Sequence, residues 1–181
     1  IEDSEGNSVA FESSDGGDGG NDELVVSYLA QGACQGADLT SGGANPEGEI
    51  VVNRYYVVNE VLRCSSLRRL ASGAYQALSP GAVDLISGVE SFQVLYGVDT
   101  NIDNAIGATK YVTATDLAAS DAIVAIRLAI LLRSSDNRLP VPEGVQTFFV
   151  LDQEVETLED RGLHRVFSTT AQVRNVYWDG I

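Results

Sequence analysis

Hydrophobic and polar positions along this chain alternate mostly with a period of two. The longest run is Ala122–Arg133, AIVAIRLAILLR. Val124, Ile126, Leu128, Ile130 and Leu132 share one face of it, and Ala125, Arg127, Ala129, Leu131 and Arg133 share the other. Two arginines on an otherwise small-residue face suit a long strand with one buried side. The run is too short to cross a bilayer as a helix. It is predicted to be the central strand of an antiparallel sheet. Val89–Val98 alternates in the same way, with Phe92, Val94, Tyr96 and Val98 on one face of a half-buried strand. Leu24–Leu29 reads as a strand, and Ile50–Val58 with Val61–Cys64 reads as a hairpin. Asn59-Glu60 forms its tip, and Asn tolerates the positive φ that tight hairpin turns need. Shorter strands are predicted at Tyr75–Leu78, before Ser79-Pro80-Gly81, and at Tyr111–Val112 and Val145–Leu151. A closing strand covers Val166–Trp178, with Phe167, Thr169, Ala171, Val173 and Tyr177 in register.

Between these runs, Ser65–Gly73 reads as a connection and Thr115–Ala119 as one helical turn. The acidic stretch Asp152–Asp160 reads as solvated. No repeat and no helix longer than three turns is evident, so the chain is expected to be mostly antiparallel β. Residues 1–22 are acidic and rich in Gly and Ser, the signature of a flexible leader. Ser8-Val9-Ala10-Phe11 offers at most one turn of helix there, a remnant of a helix end. Residues 23–181 are then expected to form a single globular β-rich domain, and 181 residues suffice for one sizeable core. No methionine occurs, which leads us to expect an internal fragment of a longer precursor. No signal peptide or transmembrane segment is present in it, which does not exclude one upstream.

Formal net charge is −15, and Lys110 is the only lysine. Such a surface repels phosphate backbones, so direct nucleic-acid binding is not expected. Cys34 and Cys64 form an even pair. They could be two unrelated buried thiols. A disulfide is favoured, because Cys64 ends one predicted strand and Cys34 lies just past another. Closing such a loop would stabilise by about 3–4 kcal/mol and would imply an oxidising compartment. Zinc is disfavoured, since two Cys and a distant His164 do not complete a ligand set.

Candidate chemistry is sparse. His164, the single histidine, sits beside Arg165 at the start of the last strand and reads as a solvated edge residue. No nucleophile elbow, zinc-protease helix or phosphate loop is present. The chain is therefore read as a non-enzyme. Asp99-Thr100-Asn101-Ile102-Asp103 is the one stretch with metal chemistry. Asp99, Asn101 and Asp103 place oxygen ligands at alternate positions, as calcium loops do. Asn104 stands where such loops carry Gly, and Lys110 where they carry a bidentate Glu. A plain polar hairpin loop is the favoured reading, and no other cofactor is expected.

Three ordered segments carry a resemblance. Gly88–Thr100 (GVESFQVLYGVDT), Ile123–Ser134 (IVAIRLAILLRS) and Val166–Asn175 (VFSTTAQVRN) resemble successive motifs of the PilW family of type IV pilus minor pilins. Asn21–Tyr28, Asn53–Val57 and Cys64 also match that family's habits. The resemblance implies an α+β pilin-like fold: a long N-terminal helix packed on an antiparallel sheet. Here the fold is expected to be predominantly antiparallel β, because most or all of that helix is missing, leaving a hydrophobic groove. It implies an inner-membrane-anchored precursor, cleaved by a prepilin peptidase, whose globular domain faces the periplasm before joining a pilus fibre at the cell surface. The membrane is contacted only through the missing helix. Its partners would be other minor pilins, the major pilin and a tip adhesin, in a priming complex that promotes assembly and adhesin display. No catalytic residue is implied. Relatives often carry D-G-D-G where this chain has Asn101-Ile102-Asp103-Asn104. Gln31–Gly48 and Asp136–Asp160 read as variable loops where partner specificity could reside. Three other classes are a type II secretion minor pseudopilin, a secreted calcium-dependent binding or adhesion module, and a secreted hydrolase. No spacing favours the last.

Overall fold

A computed structural model describes residues 11–40, 46–101, 107–136 and 138–173. The regular elements among them are all strands: β1 Leu24–Ala30, β2 Glu49–Val58, β3 Val61–Arg69, β4 Tyr75–Ala77, β5 Val83–Ser87, β6 Val89–Asp99, β7 Lys110–Val112, β8 Ala122–Arg133, β9 Thr147–Val150, β10 Gln153–Glu156 and β11 His164–Gln172. The α+β expectation is not met by these residues, which hold no helix. Thr115–Ala119, expected as a helical turn, forms bends and turns instead. Asp116 and Asp121 there favour side-chain-capped turns, and the Asp121 carboxylate accepts the Ala118 N–H at 3.1 Å. The proposed helix-end remnant at residues 8–10, and Tyr177 and Trp178 of the closing strand, lie outside the described residues.

The chain divides at Ser87/Gly88 into two compact units. The sequence pattern predicts one β-rich domain with a flexible leader before it. From Phe11 onward, however, the leader is tied down: its part up to Ser13 belongs to the first unit, and Ser14–Asp22 to the second.

The first unit is an antiparallel sheet in the order β1-β2-β3-β4, with β5 also pairing on β3. The β2–β3 turn holds Asn59 and Glu60 at φ 52° and 59°, the paired positive values of a tight hairpin. β3 runs past Cys64 to Arg69, through the segment expected to be a connection. Ser65 and Ser66 hide its strand character in the sequence. In the sheet they oppose Arg54 and Asn53, and the Ser66 hydroxyl donates to the buried Asn53 Oδ1 at 2.5 Å. One face packs Val52 and Leu67 under Phe11, with Val25 and Tyr75 at its margin. Glu23 grips Arg54 through both carboxylate oxygens at 2.9 and 2.6 Å, and the guanidinium lies 4.5 Å over the Tyr56 ring. The opposite face buries Val51, Asn53 and Cys64. Cys64 is bonded to Cys34, fastening the loop after β1, and Leu39 in that loop is also buried.

The second unit is a sheet in the order β11-β8-β6-β7 with a separate β9–β10 hairpin. β8 is flanked by β6 and β11, both antiparallel, as its length and alternation predict. The buried face of β8 is not the one its composition suggests. Ala129 and Leu131, on the face carrying the arginines, are fully buried beneath Val150, with Phe148, Leu151 and Val155 of the hairpin region and Val166 of β11 around them. Alanine leaves room for the hairpin to approach closely. Arg127, farther along that face, is accommodated by stacking 4.0 Å over the Tyr111 ring. On the other face, burial falls off across the sheet. Phe92, Val94 and Tyr96 of β6 are buried, Ile126, Leu128 and Ile130 of β8 are half-buried, and Phe167 of β11 is 49% exposed. An apolar strip therefore runs along β8 and β11 on that face.

β6 is buried along most of its length, and the leader completes its edge. The Asp22 N–H donates to the Phe92 carbonyl at 2.9 Å. Asn21 Oδ1 accepts the Phe92 N–H, and Asp22 Oδ2 the Val94 N–H, each at 2.7 Å. Gln93 Nε2 donates to the Gly20 carbonyl at 2.8 Å. A stretch that reads as flexible by composition serves here as the missing neighbour of a core strand.

Candidate assembly interface

Three places in the described residues are worth testing for function. The first is the turn after β6. Asp99 Oδ1 accepts the Asn101 N–H and Oδ2 the Gly107 N–H, both at 3.2 Å. The Thr100 and Thr109 hydroxyls meet at 2.8 Å, and Thr109 Oγ1 donates to the Val98 carbonyl at 3.0 Å. Both oxygens of Asp99 are therefore committed to shaping the loop. Asp103, the third candidate calcium ligand, lies outside the described residues. No group of three or more His, Cys, Asp or Glu among the described residues could hold a metal ion.

The second place is a cluster at the end of β8. Register slips by one residue between Val89 and Ser91, so Glu90 is the extra residue of a β-bulge. The bulge brings Glu90 Oε1 to within 3.3 Å of His164 Nε2. The His164 side chain is only 3% exposed, packed at 6.2 Å from the Phe148 ring. The sequence reading of a solvated edge histidine is corrected here. An end-of-strand position reads as exposed only when the bulge on β6 and the Phe148 contact are unknown. Burial pushes the Glu90 carboxyl up from its ordinary value, against the pull of His164 and Arg133. Arg133 in turn pairs with Asp160. Asp160 also accepts the Gly162 N–H at 2.7 Å, and that bond is the main cause holding its pKa below the ordinary range.

Glu90, His164, Arg133 and Asp160 line neither of two hollows in the surface. One hollow of about 320 Å³ lies among Gly107, Tyr111, Val124 and Thr170, and has no ionisable side chain but Tyr111. Another, of about 490 Å³, lies among Leu29, Ile50 and Leu70, with Glu49 and Arg69 on its wall. Neither contains His164 or a pair of carboxylates, so no acid–base pair faces either space. The arrangement ties the ends of β6, β8 and β11 together.

The third place is the exposed apolar surface. Beyond Phe167, the second unit exposes Val145 by 60%, Phe149 by 71% and Leu158 by 80%. Nothing in the composition marks these as a group, because Leu158 stands inside an acidic run and Phe149 next to the half-buried Phe148. Alternation at every second residue, Val145-Thr147-Phe149 against Glu154-Glu156-Leu158, was the available signal.

A surface of this kind suits assembly better than catalysis, and the comparisons with known proteins agree. The profile of the type IV pilus-assembly protein W family, PilW, matches residues 54–175. The chain belongs to that family. The fold is also similar to that of the type IV-like pilin TTHA1219 from Thermus thermophilus, with a TM-score of 0.51. Identity there is 16%, over 87% of this chain and 80% of the pilin. No curated protein matches the sequence. The match to PilW runs from the middle of β2 to two residues beyond Val173. It takes in the Glu90 bulge, the β8 strand and the whole β9–β10 hairpin. Family and fold together make this a pilus-related, pilin-like protein of a structural kind, interacting with other pilus components in a periplasmic or pilus-associated setting.

Proposed function

We propose that this PilW-family protein is a minor pilin of the type IV pilus. In this reading it is a non-enzymatic subunit that joins other minor pilins at the fibre tip, primes assembly and supports display of an adhesin. The observation that carries the reading is the family match over residues 54–175, which spans both units of the fold. The apolar strip along β8 and β11 supports it, because a pilin sheet is built to be covered by a helix. No helix among the described residues is long and apolar enough to cross a membrane. In this reading, membrane anchoring is the work of a prepilin helix.

Sequencing the coding DNA upstream of Ile1 tests this directly. A short basic leader, a prepilin cleavage site and an apolar helix are expected. An ordinary cleavable signal peptide would overturn the minor-pilin reading. A clean deletion strain then separates the two fibre systems. Loss of surface pili, restored by the intact gene, is expected of a pilus subunit, whereas normal pili with defective protein secretion would make it a type II pseudopilin.

A further inference from the structure

We infer that the outer face of the β9–β10 hairpin is a docking surface for a neighbouring pilin-family domain that presents an apolar depression bordered by arginine or lysine. The inference rests on the minor-pilin reading and names the surface and the chemistry of the partner. The hairpin is amphipathic. Val150 is fully buried on its inner face, where Phe148 and Val155 pack beside it against Ala129 and Leu131. Register pairs Phe149 with Glu154 and Thr147 with Glu156 on the opposite face. The bridge between Glu143 and Asp160 continues the same offset, which sets Val145 opposite Leu158. The outer face therefore carries Phe149, Val145 and Leu158 in one patch, interleaved with the exposed Glu154 and Glu156. An outward strand face commonly carries polar residues, and a contiguous patch of large apolar side chains there points to an interaction site.

Charge selects the occupant. The patch carries two carboxylates and no cationic side chain at its six positions, and the whole chain stands at −15. A second copy would set glutamates against glutamates, which opposes association. A lipid surface would have to bury the same carboxylates, at a cost of several kcal/mol if unpaired. A protein surface with an apolar centre and a basic rim satisfies both features, since the rim pairs with Glu154 and Glu156 while the centre takes Phe149.

The test measures binding of the intact chain to purified soluble domains of the other pilin-family subunits of its source organism, by biolayer interferometry. At least one domain should bind, more weakly as salt rises from about 0.05 to about 0.5 M. Phe149→Ser and Leu158→Ser should each weaken that binding by at least about tenfold, with Glu154→Lys/Glu156→Lys weakening it too. Both apolar side chains are mostly exposed, so these variants should keep the far-UV circular dichroism of the parent. Binding left unchanged by all the variants would overturn the surface assignment and leave the minor-pilin reading standing. Failure of the parent to bind any pilin domain would remove the reading on which the inference rests. Two further results would overturn the inference by giving the face another occupant. One is self-association on ultracentrifugation that Phe149→Ser abolishes, and the other is binding to zwitterionic vesicles that the same substitution abolishes.

Discussion

Two carboxylates, the buried Asp22 and the half-buried Glu90, show how this protein uses polar groups for architecture. Asp22 accepts the Val94 N–H through one oxygen and the Gly16 N–H through the other, at 2.7 and 2.9 Å. An amide in its place can accept only one of these and turns an NH₂ toward the second donor. Asp22→Asn is therefore expected to destabilise the fold by about 1–3 kcal/mol, the cost of a buried donor left unpaired, measured as a shift of the urea midpoint. Burial raises the Asp22 carboxyl above its ordinary value, with the two backbone bonds opposing, and it raises Glu90 likewise. The sign follows by linkage. Between the ordinary value near 4 and the raised one, the folded state holds protons that the unfolded chain has released, so stability falls as pH rises through that window. Asp160 and Asp38 act in the other direction. Hydrogen bonds from Gly162 and Thr40, respectively, hold their carboxyls low, and their contribution is lost as pH falls through the lowered values. Glu90→Gln should flatten the decline of stability as pH rises above the ordinary glutamate value. A slope identical to the parent would show that Glu90 does not titrate in that range.

At the level of elements, the strands most legible in the sequence were those with strict alternation and a decisive length. β8, β6 and the β2–β3 turn lie where the pattern places them. The misreadings have specific causes. β3 was cut short because its second half is serine and arginine, which reads as a loop until Ser66 is seen bonded to Asn53 in the core. β5, Val83–Ser87, was missed because it lies between a proline turn and Gly88, with little alternation to mark it. The faces of β8 were assigned by bulk, yet the smaller face is the one the β9–β10 hairpin covers. Leu131→Ala should consequently cost about 2–5 kcal/mol, a loss that a face carrying Arg127 and Arg133 would not have foretold. Gly97 belongs to the same packing problem. A Cβ there would stand 2.8 Å from Ala108 Cβ and 3.0 Å from both Ala125 Cβ and Tyr111 Cε1. Gly97→Val is expected to displace Tyr111 from its place over Arg127 and lower the melting temperature. An unaltered melting temperature would mean that β7 yields without cost. In the first unit the Cys34–Cys64 link closes a separation of 30 residues. Replacing both cysteines with serine should lose about 3–4 kcal/mol in the chain-entropy model.

On the scale of the whole molecule, charge is the property that sequence shows best and local structure least. Family membership and a mainly antiparallel fold could be read from ordered motifs and period-two patterning. The paired functions of particular side chains could not, because Glu90 meets His164 only through a bulge, and Asp22 reaches Val94 across 72 positions. Net charge needs no such geometry. With 26 acidic residues against 11 basic ones, self-repulsion opposes the compact state more than the ion pairs between Arg54 and Glu23 or Arg133 and Asp160 can offset in low salt. Raising NaCl from about 0.02 to about 0.3 M shortens the screening length from roughly 20 Å to about 6 Å. That range is long enough to silence repulsion between distant carboxylates while sparing pairs in contact. The melting temperature should therefore rise across the series, in sodium sulfate as in sodium chloride once ionic strength is matched. A fall would show that local ion pairs outweigh the net field, and the argument from charge for a basic-rimmed partner would lose its footing with it.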